Sequence, residues 1–595
     1  MPTDGRFALF DGDDGGALLL TDYRRTVCFD GSDDLAGVFA QIEAATARGE
    51  WVALAADYAL GGCFEAAVSF PAPDRPLLRA WVFGRSERLD AIAADAFLAE
   101  RLAELPERER CAGIAELSVQ MDAASYAQAV EQIRGWIADG DCYQINFTFP
   151  LDFRVFGHPL ALYAALRQRQ PVRYGGYVAV PEATVLSFSP ELFFERSGNR
   201  VVTRPMKGTA ARGRSPQEDA ACCAALLASE KERAENVMIV DLLRNDLGRL
   251  AQPGKVRVDS LCAAEAYPTL WQMVSTVSAE LPDTSLIDLF RALFPCGSIT
   301  GAPKIRTMQR IAELENWQRG LYTGALGWLA PGGDCRFNVA IRTIELGQEA
   351  GERRGRLGVG SGIVIDAAPE REYAECLLKA SFLTGFDPGF ELIETLRLEA
   401  GDFPLLRLHM ERLLASARAL GFCCEVAQVA ARLAAEASRC GTGLFRVRLT
   451  LAHDGTCRVT STPLVVDSEK QWQIVLAGDA LDAGDYLLRH KTTARSRYER
   501  ELAALAVRPE VFDAIFLNTR GEVCEGARSN IFVERDGMLL TPPLACGLLP
   551  GVMRRQLIES GRAVERVLRL EDLRAAPALY MANALRGLIA VQLTG

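Results

Sequence analysis

Histidine is scarce in this chain of 595 residues: only His158, His409, His453 and His490 occur. A metal centre or proton relay built on clustered imidazoles therefore has little to draw on. The 16 cysteines contain no C-x-x-C pair, and the adjacent doublets Cys222-Cys223 and Cys423-Cys424 are the nearest approach to a pattern. That scatter argues against a zinc knuckle or a disulfide framework and reads as reduced thiols of a cytoplasmic protein. No uninterrupted apolar run reaches the roughly 20 residues that span a bilayer, so no membrane segment is expected. The first residues, MPTDGRFALFDGDDGG, show neither a basic region followed by an apolar run nor a cleavage pattern, and no signal peptide is expected. Basic charge is in deficit, with a formal net charge of −11. This argues against a nucleic-acid partner or an anionic membrane surface. Any anionic substrate must be held by local Arg and Lys.

What is present is ordinary globular material, 49% hydrophobic and 24% charged. At about 150 residues per domain the length implies several structural units. The best boundary is the turn-rich Thr384-Gly385-Phe386-Asp387-Pro388-Gly389, which separates a helical run from a new pattern. The chain is divided there into 1–385 and 390–595. In the first part strands are expected at Tyr177–Val180, Val201–Thr203, Gly324–Leu329, Phe337–Ile344 and Arg356–Ile365, alternating with long helices. One helix opens at Ser215-Pro216-Gln217-Glu218, a capping box with proline at the first helical position. It continues, or breaks once, through Glu230–Leu243. The second part shows helices near 409–420 and 426–439 and strands at 444–451 and 472–477.

Lys207 lies in Thr203-Arg204-Pro205-Met206-Lys207-Gly208-Thr209, between two turn-forming residues at the end of a strand-like run. By itself this is compatible with a solvated loop lysine. Two helical segments carry acidic pairs at i, i+3, Glu232 with Glu235 and Glu372 with Glu375, so each pair shares a helix face. On pattern alone these are two solvated faces; were they to converge, a divalent cation with all-oxygen ligation such as Mg²⁺ would have to neutralise them.

Several segments of the first part, in order, resemble the chorismate-utilising enzymes. They are Asp139-Gly140-Asp141-Cys142-Tyr143-Gln144-Ile145-Asn146, Ser189-Pro190-Glu191-Leu192, and the run Lys231 to Leu242. Arg244-Asn245-Asp246-Leu247, the run Gly297 to Lys304, and Gly360-Ser361-Gly362-Ile363-Val364 complete the set, over about 120–383. The resemblance implies an α+β layered β-sandwich with helices. It implies Glu235 and Glu375 as Mg²⁺ ligands supported by Glu232 and Glu372. Tyr322, Arg342 and Lys379 would hold the carboxylates of chorismate, helped by backbone amides around Thr300, Gly301, Gly360 and Gly362. Within the family, Gln144 stands where water-adding members carry a lysine base. Anthranilate synthases have a small residue where Lys207 stands, whereas aminodeoxychorismate synthase component I has lysine. The resemblance thus implies Lys207 as a covalent nucleophile with a lowered pKa. Ammonia would come from a separate glutamine amidotransferase subunit or from solution.

Residues 390–595 resemble the fold-type IV pyridoxal-phosphate enzymes, an α/β group that includes aminodeoxychorismate lyase and the D-amino-acid and branched-chain transaminases. The matching segments are His409-Met410-Glu411-Arg412-Leu413, His490-Lys491-Thr492-Thr493-Ala494-Arg495, Glu522 to Phe532, and Gly547 to Arg554. The resemblance implies Lys491 as the Schiff-base lysine and proton shuttle, and Glu525 against the pyridine nitrogen. Arg412 and the helix start at Gly551, Val552 and Met553 would bind the phosphate, and Thr395 would face the substrate. It further implies a homodimer through the second part. This part lacks the short N-terminal portion of free-standing lyases. Together the two resemblances imply a multifunctional enzyme of 4-aminobenzoate and folate biosynthesis. Chorismate would be aminated in the first part and pyruvate eliminated in the second. The alternative is a chorismate aminase or anthranilate synthase component fused to a true transaminase.

Overall fold

The computed structural model describes residues 5–32, 34–267, 270–349, 351–466 and 470–594. It divides into two compact units, each taken here by itself. The first comprises Met1–Leu105, Ser118–Phe153 and Pro159–Thr384; the second comprises Pro106–Leu117, Arg154–His158 and Gly385–Gly595. Two short segments from within the first 160 residues thus belong to the second unit.

The first unit is built on a long strand ladder. From Gly301–Ala302 it passes through Gln144–Phe156, Glu352–Ile363, Thr343–Glu349, Ala183–Ser187, Gly176–Val180 and Phe7–Asp11 to Ala17–Phe29. It continues through Leu78–Leu89, Trp51–Ala56, Ala325–Leu329, Cys335–Val339, Leu192–Ser197 and Arg200–Arg204 to Leu270–Glu280. Val256–Ala266 and Met206–Ala211 both lie antiparallel to this last strand. The strands bury one face in apolar clusters, one around Trp81, Phe83, Leu326 and Trp328. Another is a knot of aromatic rings, Phe193, Phe194, Phe290, Phe294 and Phe337, with centroids 4.9–6.2 Å apart.

The helix started by the Ser215 cap runs over Pro216–Ala228, breaks at Ser229 and resumes as Glu230–Gly248. Ser229 caps the second piece by accepting from the Glu232 N–H at 3.3 Å. The expected single strand Phe337–Ile344 is two strands, Cys335–Val339 and Thr343–Glu349, with Arg342 in the left-handed region at φ 49 between them. The reason is a change of partners: the first piece pairs with Ala325–Leu329 and the second with Ala183–Ser187.

In the second unit an antiparallel sheet of Leu392–Glu399, Leu444–Leu451 and Cys457–Pro463 packs on the helices Leu406–Leu420 and Val426–Cys440. A mixed eight-stranded sheet follows, in the order Val523–Gly526, Val511–Leu517, Trp472–Leu476, Gly587–Leu593, Ala578–Asn583, Asn530–Arg535, Met538–Thr541 and Ala563–Glu565. The early segments are woven into this unit. Phe156 stacks on Tyr486 at 6.4 Å, Arg154 lies over the same ring at 4.4 Å, and the Tyr486 hydroxyl donates to Glu116. Among the described residues no helix is long and apolar enough to cross a membrane.

Candidate active sites

In the first unit, Lys207 is carried on the strand Met206–Ala211. Its pairing with Leu270–Glu280 slips between Met206↔Val274 and Thr209↔Gln272, so Lys207 and Gly208 form a bulge. Gly208 takes φ 88, and a Cβ there would stand 2.8 Å from Glu232 Oε2. The sequence pattern suggested a tight connection; the structure holds the lysine on a kinked strand instead. The bulge brings Lys207 to Gln144 across the strand Glu352–Ile363. A Cβ built on Gly362 would stand 2.4 Å from Gln144 Nε2 and 3.6 Å from Lys207 Nζ. The Gln144 amide is buried, and among the described residues neither its oxygen nor its nitrogen has a hydrogen-bond partner. Such an orphaned group is costly unless a ligand or water satisfies it.

Burial pushes the Lys207 amine below the usual lysine range; Glu235 and Glu191 oppose this, and Lys379 adds to it. Glu191 is a residue to which the sequence reading gave no role, although it sits inside the Ser189-Pro190-Glu191-Leu192 signature. Its carboxyl is buried and pushed up to about 7 by desolvation, against a 2.7 Å hydrogen bond from Ser298 and the pull of Lys207. Burial thus disfavours the charged form of both groups, the Glu191 carboxylate and the Lys207 ammonium, in one site.

The four predicted carboxylates sit on the helices Glu230–Gly248 and Pro369–Thr384. Burial, then Glu235 and Glu375, push the Glu232 carboxyl up. Burial pushes Glu375 up as well, but Lys379 and then Lys207 outweigh it and leave that carboxyl below its usual value. Lys379 pairs with Glu375 at 2.8 Å and donates to the Gly360 carbonyl at 2.9 Å. Among the described residues no three acidic, His or Cys side chains close on one point. The donor type, all carboxylate oxygen, is that of a hard divalent cation.

The remaining predicted residues also belong to the first unit. Tyr322 is buried against Trp317, ring centroids 6.1 Å apart, and fits over Gly358, where a Cβ would be 2.2 Å from its ring. Arg342 is half-buried, and burial pushes its guanidinium below its ordinary value. The Thr300 hydroxyl donates to the Cys296 carbonyl at 2.8 Å. Gly301, at φ 136, pairs with Ile145 so closely that a Cβ would stand 2.2 Å from the Gln144 carbonyl oxygen.

Every predicted site residue of the second unit lines one cavity of about 1230 Å³: Thr395, Arg412, Lys491, Glu525, Gly551, Val552 and Met553. Lys491 is pushed down to about 7, first by burial, then by Arg495 and Arg412. Glu525 is buried and pushed up to about 7, although Tyr498 donates to Oε1 at 2.8 Å and the Leu549 N–H to Oε2 at 3.1 Å. Arg412 grips Glu394 with two bonds of 2.9 and 2.6 Å, and His409 Nδ1 meets the same carboxylate at 2.6 Å. His409 Nε2 is buried and has no partner among the described residues. The helix Val552–Glu559 starts at Gly551 with no side-chain cap, so its first N–H groups are open.

The family model described as chorismate binding enzyme matches residues 43–385. The chain belongs to the chorismate binding enzymes. A second model, amino-transferase class IV, matches residues 391–593 of this chorismate binding enzyme. "Aminodeoxychorismate synthase component 1" of Bacillus subtilis is 43% identical over 43% of the chain and 54% of its own length. "Anthranilate synthase component 1" of Thermus thermophilus is 40% identical over 46% of the chain and 59% of its own. The chain therefore spans little more than half the length of these relatives. The crystal structure of anthranilate synthase component I from Streptococcus pneumoniae shares the fold, with 24% identity, a TM-score of 0.52, and coverage of 64% of this chain and 92% of that one. The class IV match implies pyridoxal phosphate. The raised Glu525, the lowered Lys491, the unpartnered His409 nitrogen and the uncapped helix start fit that group.

Proposed function

We propose that the chain makes 4-aminobenzoate from chorismate in two steps, one in each unit. The observation that carries this reading is Lys207, an amine whose charge burial disfavours, set against Gln144 across Gly362 in a chorismate-binding unit.

In the first step Arg342, Tyr322 and Lys379 hold the two carboxylates of chorismate. Glu235 and Glu375, backed by Glu232 and Glu372, would hold Mg²⁺, which would supply positive charge for the ring carboxylate. Lys207 Nζ bonds to ring carbon 2 while the carbon–oxygen bond at carbon 4 breaks, and Glu191 gives its proton to the departing hydroxyl, which leaves as water. Ammonia then bonds to carbon 4, the carbon–nitrogen bond to Lys207 breaks, and Glu191 recovers a proton from the new ammonium group. Splitting one substitution into two is what a covalent nucleophile contributes. Ammonia is supplied by a separate glutamine amidotransferase subunit.

In the second step Lys491 removes the proton at carbon 4 of aminodeoxychorismate and returns it to the departing enolpyruvate, leaving an aromatic ring and pyruvate. Pyridoxal phosphate, when bound, supplies the electron sink. Arg412 and the helix start at Gly551, Val552 and Met553 would hold its phosphate, with the Val552 and Met553 N–H groups facing it while the Gly551 N–H donates to the Leu549 carbonyl at 2.8 Å, and Glu525 would sit against its ring nitrogen. Thr395 faces the substrate. The protein works in the cytoplasm, as a homodimer through the second unit.

A transaminase reading of the second unit is favoured by the description of the family model that matches it, and an anthranilate reading of the first by relatives of that name. Incubation with chorismate, ammonium, Mg²⁺ and pyridoxal phosphate, resolved by chromatography, separates them. 4-Aminobenzoate with equimolar pyruvate supports the proposal; anthranilate overturns the first step, and aminodeoxychorismate that accumulates unchanged overturns the second.

A further inference from the structure

Pro106–Leu117 and Arg154–His158 lie inside the stretch 43–385 that the chorismate-binding model matches, yet both belong to the second unit. The two segments are locked to each other. The His158 N–H donates to the Glu109 carbonyl at 2.8 Å. Gly157, at φ 71, passes so close that a Cβ there would stand 2.2 Å from the Cys111 carbonyl oxygen, and a Cβ on Gly113 would stand 2.6 Å from the Phe156 ring. Ala115 and Phe156 are buried in one apolar core with Phe390, Leu392, Leu396 and Tyr486. Pro106, Glu107, Arg108, Arg110 and Cys111 line the same cavity as Lys491, and Glu107 pairs with Arg500 on the helix Ser496–Ala504.

Contacts from these segments converge on one ring. Phe156 stacks on Tyr486 with 16° between the ring planes, Arg154 lies 4.4 Å from the centroid of that ring, and the Tyr486 hydroxyl donates to Glu116 at 3.2 Å. Stacking and cation–π contacts are directional, so they fix where the ring sits as well as burying it. Tyr486 opens the short helical turn Tyr486–Arg489, and His490 and Lys491 follow at once. The Asp485 side chain caps this turn by accepting from the Leu487 N–H at 3.1 Å, and the His490 N–H donates to the Leu487 carbonyl at 3.0 Å. The Tyr486 ring lies 4.9 Å from the His490 ring, whose Nδ1 meets Ser416 Oγ at 3.0 Å. Arg154 reaches this histidine as well: burial, then Arg489 and Arg154, push His490 down to about 4. The next carbonyl, that of Lys491, accepts from the Ile393 N–H at 2.8 Å.

We propose that Arg154 and Phe156 are positioning residues of the second unit's site: through Tyr486 they fix the turn that delivers Lys491 to the cavity. The site in residues 391–593 is thereby completed by chain from within the chorismate-binding match. This role rests on Lys491 being the lysine that links pyridoxal phosphate, and it is the same in a lyase and in a transaminase.

The test adds pyridoxal phosphate to the cofactor-free full chain and follows growth of the lysine-linked absorption. Hydrogen exchange of the Tyr486–Lys491 amides is read on the same variants. Arg154→Met and Phe156→Ala should each slow attachment by about tenfold or more, the effect of a misplaced reacting group. They should speed exchange over Tyr486–Lys491 by a similar factor, with exchange in the strand Asn530–Arg535 unchanged. Arg154→Lys should recover part of the loss. Attachment and exchange within about twofold of wild type in both variants would overturn the positioning role, and so would exchange that rises equally throughout 390–595. If Phe156→Ala does not fold, the two Arg154 variants decide. If the wild type forms no lysine-linked absorption, the cofactor reading fails, and exchange over Tyr486–Lys491 alone decides the positioning.

Discussion

Gln144 and Lys207 close on one point above Gly362, where an added methyl would stand 2.4 Å from the Gln144 amide nitrogen and 3.6 Å from the lysine amine. Gly362→Ala should therefore displace both groups. Amination of chorismate is expected to fall on the order of a hundredfold, the cost of roughly an ångström of misplacement. Pyruvate release from supplied aminodeoxychorismate should stay at the wild-type rate, because Gly362 lies in the first unit and Lys491 in the second. Steady-state assays of the two half-reactions check this.

Glu191, pushed up to about 7 by burial, must be protonated to act as the acid. Its protonated fraction falls as pH rises through that value, so the amination rate should decline above about pH 7. Glu191→Gln should lower the rate by about 10² to 10⁴ and remove this limb from the pH profile.

Glu394 is buried between Arg412 and His409. Burial pushes its carboxyl up, but Arg412 and His409 outweigh this and bring it down to about 2. A depressed carboxylate stabilises the fold above its unfolded value, near 4.5, and the contribution is lost as pH falls toward about 2. Glu394→Gln should destabilise the protein by about 3 kcal/mol at neutral pH, by leaving the buried Arg412 without its counter-ion. The deficit should shrink on acidification, and cofactor affinity should fall with it. Denaturant titrations at pH 7 and pH 3, with a cofactor-binding isotherm, measure both effects.

Lys491 is brought down to about 7. Its amine becomes uncharged as pH rises through that value, so cofactor attachment to the cofactor-free chain should accelerate through pH 7, about three units below an ordinary lysine. Lys491→Ala should abolish the cofactor's lysine-linked absorption and leave aminodeoxychorismate to accumulate; undiminished 4-aminobenzoate would contradict this.

The residues legible in the sequence were those whose chemistry sits in contiguous motifs. The Glu232/Glu235 and Glu372/Glu375 pairs, the Lys491 segment and the Gly551 helix start are local features, and a single chain segment shows them. The Lys207 bulge was not legible, because it exists only through the slipped pairing with Leu270–Glu280. The break at Arg342 leaves no mark in the local pattern, which reads as one continuous strand, since the change of partner that causes it lies in distant segments. Glu191 lies inside the Ser189-Pro190-Glu191-Leu192 motif, but its burial and the attraction of Lys207 arise only from tertiary structure. Nor does any composition shift mark Pro106–Leu117 and Arg154–His158 as part of the second unit.

The central claim is that Lys207 bonds to the ring. The most direct measurement is mass spectrometry of the full chain incubated with chorismate and Mg²⁺ in the absence of ammonia. The account predicts an added mass of chorismate less one water, on the peptide that carries Lys207, lost when ammonium is added and absent from Lys207→Ala. No adduct on the wild-type chain, with amination by Lys207→Ala at the wild-type rate, would contradict it.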